Sequence, residues 1–224
     1  MKKIIGFNSV SSQKLLRTLN RILSEKDLSD LLSYVRIGEE VHFIDMSGPD
    51  LVRSVKLALA NSRSNIGIFL DLRLLGTREE IEDVIKKYFA PDMLSVSAAC
   101  SVDTIITLRR LLPKTKLVMV SMLSDVSPAE CESRFGISPE EKTFMEYKAV
   151  RRLYQRKISE KDKPEPFDAV ICSASQVRYL KENILHCKLI VEQEKGSPET
   201  PGVYQVIKLT SLDKVSSLQE PIVN

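Results

Sequence analysis

The sequence predicts an α/β fold of the closed (β/α)8, or TIM barrel, type, in a single domain spanning residues 1–224. Three observations point there. Strand-like and helix-like runs alternate from end to end in eight units with no internal linker. No GxGxxG follows the first strand-like run, which disfavours an open dinucleotide-binding sheet. The third strand, with Ile66, Ile68, Phe69, Leu70, Leu72, Leu74 and Leu75, is almost continuously apolar, as expected of a parallel strand covered on both faces.

The elements follow in order. Lys3 to Phe7 reads as a strand and leads through Ser11-Ser12 into a helix with Leu15, Leu16, Leu19, Ile22 and Leu23 at helical spacing. Tyr34 to Ile37 is the second strand, ending at Gly38, and Ser47-Gly48-Pro49-Asp50 opens a helix carrying Leu51, Val52, Val55, Ala58 and Leu59. After the third strand, Thr77 and Glu80 form a capping-box pair for a helix running to about Phe89. The fourth strand is Met93 to Ser97, followed by a helix through Val102, Ile105, Ile106 and Leu111, and Lys116 to Met122 is the fifth. A long helical connection follows at about 124–166, in which Ser127-Pro128 and Ser138-Pro139 each start a helix with proline at its first position. Lys161 to Pro166 is a charged, proline-broken surface loop. Asp168 to Cys172, a helix through Val177, Leu180 and Ile184, Lys188 to Val191, and Val203 to Leu209 complete the barrel, and a short closing helix holds Leu212, Val215 and Leu218.

Composition narrows the function. The 33 basic and 30 acidic residues leave a net charge of +3, too even for a nucleic-acid partner, and Glu160 and Asp162 interrupt the basic clusters between Arg151 and Lys163. No apolar run reaches the length of a membrane span, and the start of the chain is too short in apolar residues for a secretory signal, so a cytoplasmic protein without membrane partners is expected. Cys100, Cys131, Cys172 and Cys187 form no CxxC pair and no metal-ligand spacing with His42 or His186; reduced core thiols are expected.

In a barrel of this type the chemistry sits at the C-terminal ends of the strands. The polar groups there are Asn8, Arg36, Asp71 with Arg73, Ser97, Ser121 with Ser124, Ser173 with Ser175, Glu192 with Gln193, and Thr210 with Ser211. Asp71 and Arg73 share one face of their strand. A buried ion pair that merely fills the barrel is the plain reading of that pair, and Arg36 closes it into a three-membered network. Otherwise, two guanidiniums against one carboxylate leave a positive cavity suited to a phosphate or carboxylate.

The motifs YVRIG at 34–38, SGPDLV at 47–52, IFLDLRLLG at 68–76, APDMLSVSAA at 90–99, LVMVSMLS at 117–124 and DAVICSA at 168–174 together resemble the orotidine 5'-monophosphate decarboxylases. The wider superfamily includes the hexulose-6-phosphate synthases and keto-gulonate-phosphate decarboxylases. The resemblance implies roles position by position. Asp71 falls on the first aspartate of the family's Asp-x-Lys-x-x-Asp, Arg73 on its lysine, Gly76 on its second aspartate, Arg36 on the second-strand lysine, and Asn8 on an aspartate of the first strand. The family's second aspartate reaches a neighbouring subunit's site, which implies a homodimer whose sites Gly76 leaves one carboxylate short. A phosphorylated small-molecule ligand is implied too, held near the turns after the last two strands, at Gln193 and Gly196 and at Thr210 and Ser211, with Ser97 and Ser121 at the mouth.

The departures carry chemical weight. The family's lysine protonates a carbanion-like centre, whereas arginine keeps its proton to a pKa above about 12 and serves only as a fixed positive charge. Gly76 also spoils the magnesium site of the synthases, so no metal and no cofactor is expected. The expectation is a divergent barrel that binds a phosphorylated or carboxylated small molecule with standard decarboxylase activity weak or lost. The alternatives are a non-catalytic scaffold with a plugged pocket, and a carbon-carbon lyase acting on another substrate.

Overall fold

The computed structural model describes residues 3–7, 11–38, 48–62, 64–88, 90–121, 126–158, 164–192 and 203–209. Its strands are β1 (Lys3–Phe7), β2 (Leu32–Gly38), β3 (Gly67–Leu74), β4 (Met93–Ser97), β5 (Lys116–Val120), β6 (Ala169–Ser173), β7 (Lys188–Glu192) and β8 (Tyr204–Leu209). They pair in parallel in sequence order, and β8 returns to β1, so the sheet closes into an eight-stranded barrel. The helices are α1 (Ser12–Ser24), α2 (Lys26–Leu31), α3 (Gly48–Asn61), α4 (Arg78–Lys87), α5 (Val102–Leu111), α6 (Pro128–Phe135), α7 (Pro139–Lys157) and α8 (Val177–Asn183).

Strand alternation divides the core in two. Ile4, Tyr34, Phe69, Met93, Val118, Ala169, Ile190, Tyr204 and Val206 point inward and fill the barrel. Their sequence neighbours Ile5, Val35, Ile68, Leu70, Leu94, Leu117 and Val191 point outward, against helix residues such as Leu15, Leu19, Leu51, Val55, Ile105 and Leu180. Each fully buried side chain of this kind contributes about 1.5–3 kcal/mol.

Local signals place the helices. Ser11, Thr77, Ser101, Ser127 and Ser138 each accept a hydrogen bond from a first-turn amide, and Thr77 with Glu80 and Ser138 with Glu141 form reciprocal capping boxes. Gly136, with φ 70°, ends α6 in the left-handed conformation that glycine adopts without strain. The long connection therefore holds the two expected helices. Their far end is clamped: Arg151 on α7 grips both oxygens of Glu165 at 2.7 Å, and Arg109 on α5 donates to the carbonyls of Glu165 and Pro166 at 2.9 and 3.2 Å.

Helix α2 is an addition to the expected elements. It is six residues long and has no side-chain cap, so neither a long apolar period nor a cap marks it in the sequence. The closing helix through Leu212, Val215 and Leu218, and the ends of the expected elements at Phe89 and Met122, lie outside the described residues.

One seam of the barrel is irregular. Leu70 pairs with Leu94 but Leu74 pairs with Val96, so three residues of β3, Asp71 to Arg73, face the single residue Ser95 of β4. A bulge of this size increases twist and re-aims side chains. The two extra residues preserve the alternation, which keeps Arg73 on the inner face with Asp71.

Candidate active site at the C-terminal mouth of the barrel

Three strands continue their inward alternation into charge: Tyr34 to Arg36 on β2, Phe69 to Asp71 on β3, and Ile190 to Glu192 on β7. Each charge thus lies one step above the apolar filling. Arg36 donates from Nε to Asp71 Oδ2 at 2.7 Å and from Nη2 to the same oxygen, while its Nη1 lies 2.8 Å from Glu192 Oε1. Arg73 completes the group, with Nε 3.8 Å from Asp71 Oδ2 and Nη2 3.7 Å from Glu192 Oε1.

The members are not equivalent. The side chains of Arg36, Asp71 and Glu192 are 6%, 2% and 9% exposed, that of Arg73 24%. Arg73 is the member open to the mouth and the one held by the longest contacts. Asp71 Oδ1 is buried and accepts no hydrogen bond among the described residues, because both Arg36 donors converge on Oδ2.

The backbone that aims Arg73 is unusual. Its φ of 46° puts a non-glycine residue in the left-handed region, and no other described non-glycine residue has a positive φ. The bulge frees the Arg73 amide from its strand partner, and the fully buried Ser95 on β4 takes it up, its Oγ accepting from Arg73 N at 2.7 Å. Ser95 carries no sequence signal of its own: it is a small polar residue in mid-strand.

The electrostatics follow from the count of charges. Burial by itself would lower the pKa of Arg36, but Asp71 and Glu192 more than offset it and hold the guanidinium above its ordinary range. Arg36 is a fixed cation with no proton to give. Two guanidiniums and two carboxylates balance within this group of described residues, where the sequence expectation counted two arginines against one aspartate. Glu192 stands among the strand-end polar groups of the sequence, in alternation with Ile190.

Other candidates lie apart from this group. Ser97 Oγ accepts from Ala99 N at 3.2 Å, in a turn at the end of β4. Ser121 donates to Glu146 on α7 and ties the end of β5 to that helix. Asn8, Gln193, Gly196, Thr210 and Ser211 lie outside the described residues. At Gly76 a Cβ would sit 2.8 Å from Glu80 Oε2, the oxygen that accepts from Thr77 N in the α4 capping box. A larger residue there competes with the helix cap. The thiols are set away from reactivity: burial pushes Cys172 up to about 12, Cys187 likewise to about 12 despite the opposing influence of Tyr147, and Cys100 upward. Among the described residues no group of three or more His, Cys, Asp or Glu could hold a metal ion, and no helix is long and apolar enough to cross a membrane.

No protein-family model and no curated protein matches the sequence. Solved structures do match. Orotidine 5'-monophosphate decarboxylase from Methanocaldococcus jannaschii is 16% identical with a TM-score of 0.61, over 93% of this chain and 89% of that one. 3-Hexulose-6-phosphate synthase from Salmonella typhimurium is 11% identical with a TM-score of 0.54, over 93% and 89%. KGPDC from Streptococcus mutans is 8% identical with a TM-score of 0.56, over 92% and 86%. At these identities the likeness is one of fold. The chain has the closed parallel barrel that these solved structures share.

Proposed function

We propose that the barrel binds a phosphorylated or carboxylated small molecule at its C-terminal mouth, with Arg73 as the contact to the anion, and that it decarboxylates orotidine 5'-monophosphate weakly or not at all. The observation that carries this reading is the state of Arg73: a strained backbone presents it, its contacts of 3.7 and 3.8 Å leave its donors underused, and a quarter of the side chain faces solvent. A ligand phosphate or carboxylate offers it the closer, two-pronged contact that guanidinium geometry favours. The unsatisfied Asp71 Oδ1 lacks a donor, which a hydroxyl of a polyhydroxylated ligand supplies. Two of the similar barrels, the orotidine 5'-monophosphate decarboxylase and the 3-hexulose-6-phosphate synthase, are named for phosphorylated compounds.

The chemistry limits what happens to such a ligand. Protonating a carbanion requires an acid near the reacting carbon with a pKa close to working pH. Arg36 and Arg73 do not meet that requirement, so electrostatic stabilisation is the contribution this cluster makes. A homodimer remains part of the proposal. Because Glu192 brings a second carboxylate from the same chain, the cluster among the described residues is charge-balanced without a partner subunit.

A second reading is a non-catalytic scaffold, favoured by the burial of Arg36 and Asp71 in direct contact. Calorimetry against orotidine 5'-monophosphate, uridine 5'-monophosphate and ribose 5-phosphate, with a decarboxylation assay on the same sample, tests both. Binding that falls at least tenfold in Arg73→Gln, without turnover, is the expected result. Turnover at a rate typical of decarboxylases overturns the first reading, and no binding at millimolar concentration leaves the scaffold.

A further inference from the structure

The opposite end of the barrel carries a cavity of about 550 Å³. Its lining includes Lys116, Lys188, Tyr204, Met93, Phe167 and His186. Strand alternation accounts for its character. Val118 and Ile190 point into the barrel, so Lys116 and Lys188, two residues earlier on β5 and β7, point inward as well. These are the first residues of their strands, where an apolar side chain would otherwise close the barrel's lower end.

An aromatic pair holds the two ammonium groups. Tyr34 and Tyr204 meet edge to face at 5.8 Å, Lys116 Nζ donates to Tyr34 Oη at 2.6 Å and sits 5.3 Å from that ring's centre, and Lys188 Nζ sits 5.6 Å from the centre of the Tyr204 ring. Gly67 makes room for Tyr34: a Cβ there would lie 2.8 Å from its ring. The hydrogen bond to Tyr34 raises the pKa of Lys116, so it stays charged.

The two acids that border the cavity are already committed. Glu165 is bridged by Arg151 with both oxygens at 2.7 Å, and Asp168 Oδ2 accepts from Leu117 N at 2.9 Å and lies 2.8 Å from Arg109. Each carboxylate is in contact with an arginine, and although Asp168 also attracts Lys116 across space, neither Lys116 nor Lys188 makes a direct ion pair among the described residues. The apolar lining comprises the buried Met93, Phe167 and Tyr204 and the exposed Leu185.

We propose that this lower cavity is a second binding site, independent of the mouth, for a small organic anion with a flat apolar body: the carboxylate or phosphate against Lys116 and Lys188, the body against Leu185, the apolar residue of the lining that is open to solvent. The volume lies within the range of small-molecule sites, about 300–1,000 Å³.

The Met93 methyl group provides a local reporter. In protein labelled at methionine methyls, with the Met93 signal assigned through Met93→Leu, titration with phenyl phosphate is expected to shift that signal, and inorganic phosphate to do so at least tenfold more weakly. Lys116→Met with Lys188→Met is expected to reduce phenyl phosphate affinity at least tenfold, Lys116→Arg with Lys188→Arg to retain most of it, and Arg73→Gln to leave it unchanged. Lys188→Met alone, at an exposed residue, serves if the double variant does not fold. An unmoved Met93 signal at millimolar phenyl phosphate overturns the proposal, as does affinity indifferent to the lysines. A loss that follows Arg73→Gln assigns the binding to the mouth instead.

Discussion

The two ends of one barrel handle inward-pointing charge in opposite ways. At the C-terminal mouth, Arg36, Asp71, Arg73 and Glu192 alternate in sign and neutralise one another, and three of the four are almost wholly buried. At the lower end, Lys116 and Lys188 come from the same alternation, but Lys116 donates to the Tyr34 hydroxyl and Lys188 lies by the Tyr204 ring, with solvent nearby. Burial explains the difference. A guanidinium sealed from water needs carboxylates in contact, because its desolvation costs several kcal/mol, whereas an ammonium at an open rim keeps its hydration.

The sharpest way to break this contrast is to remove one partner at the closed end. Asp71→Asn leaves Arg36 with Glu192 alone and is expected to destabilise the protein by about 3–5 kcal/mol, read as a lower urea midpoint at unchanged m-value. A loss below about 1 kcal/mol would mean that water reaches Arg36.

Thiol titration probes burial on the outer layer. Cys172 and Cys187 are held up to about 12, against about 8.5 in an unfolded chain, and Tyr147 is raised as well. The unfolded state gives up those protons first, so stability is intact below about pH 8.5 and declines from there to about pH 12, by at most about 1.4 kcal/mol per thiol per pH unit. Urea midpoints at about pH 8 and about pH 10.5, on either side of the unfolded thiol pKa, should differ accordingly, and Cys172→Ala with Cys187→Ser should flatten the difference.

Ser95→Ala is expected to cost about 1–3 kcal/mol, since the Arg73 amide loses its acceptor, and to weaken anion binding at the mouth through Arg73. Gly76→Asp should cost about 1 kcal/mol by displacing Glu80 from the α4 cap, with helix content falling slightly in circular dichroism. Lys188→Met at the open end should change stability by no more than about 0.5 kcal/mol. A large loss there would show that the lower end depends on its lysines structurally.

Most of the barrel was legible in the sequence because its signals are local. Serine and threonine caps, proline at first helical positions and the run from Ile66 to Leu75 each act over a few residues, and the structure places elements where they predict. The site was legible in part. Arg36, Asp71 and Arg73 could be grouped from strand ends, but the fourth member sits on β7, far along the chain, and only closure of the barrel brings Glu192 to Arg36. The bulge at Asp71 to Arg73 was not readable, since no glycine marks it and its left-handed residue is an arginine held by the Ser95 side chain on another strand. The lysines of the lower end were readable as strand starts, but their inward direction depends on a register that only paired strands fix.

A double-mutant cycle on Arg36 and Asp71, measured by urea denaturation, tests most directly whether the mouth is a mutually compensating charge cluster. Arg36→Met and Asp71→Asn should each be strongly destabilising, and the double variant should lose less than their sum by about 2 kcal/mol or more. Effects that add to within about 0.5 kcal/mol would contradict the account, because the two side chains would then be stabilised separately.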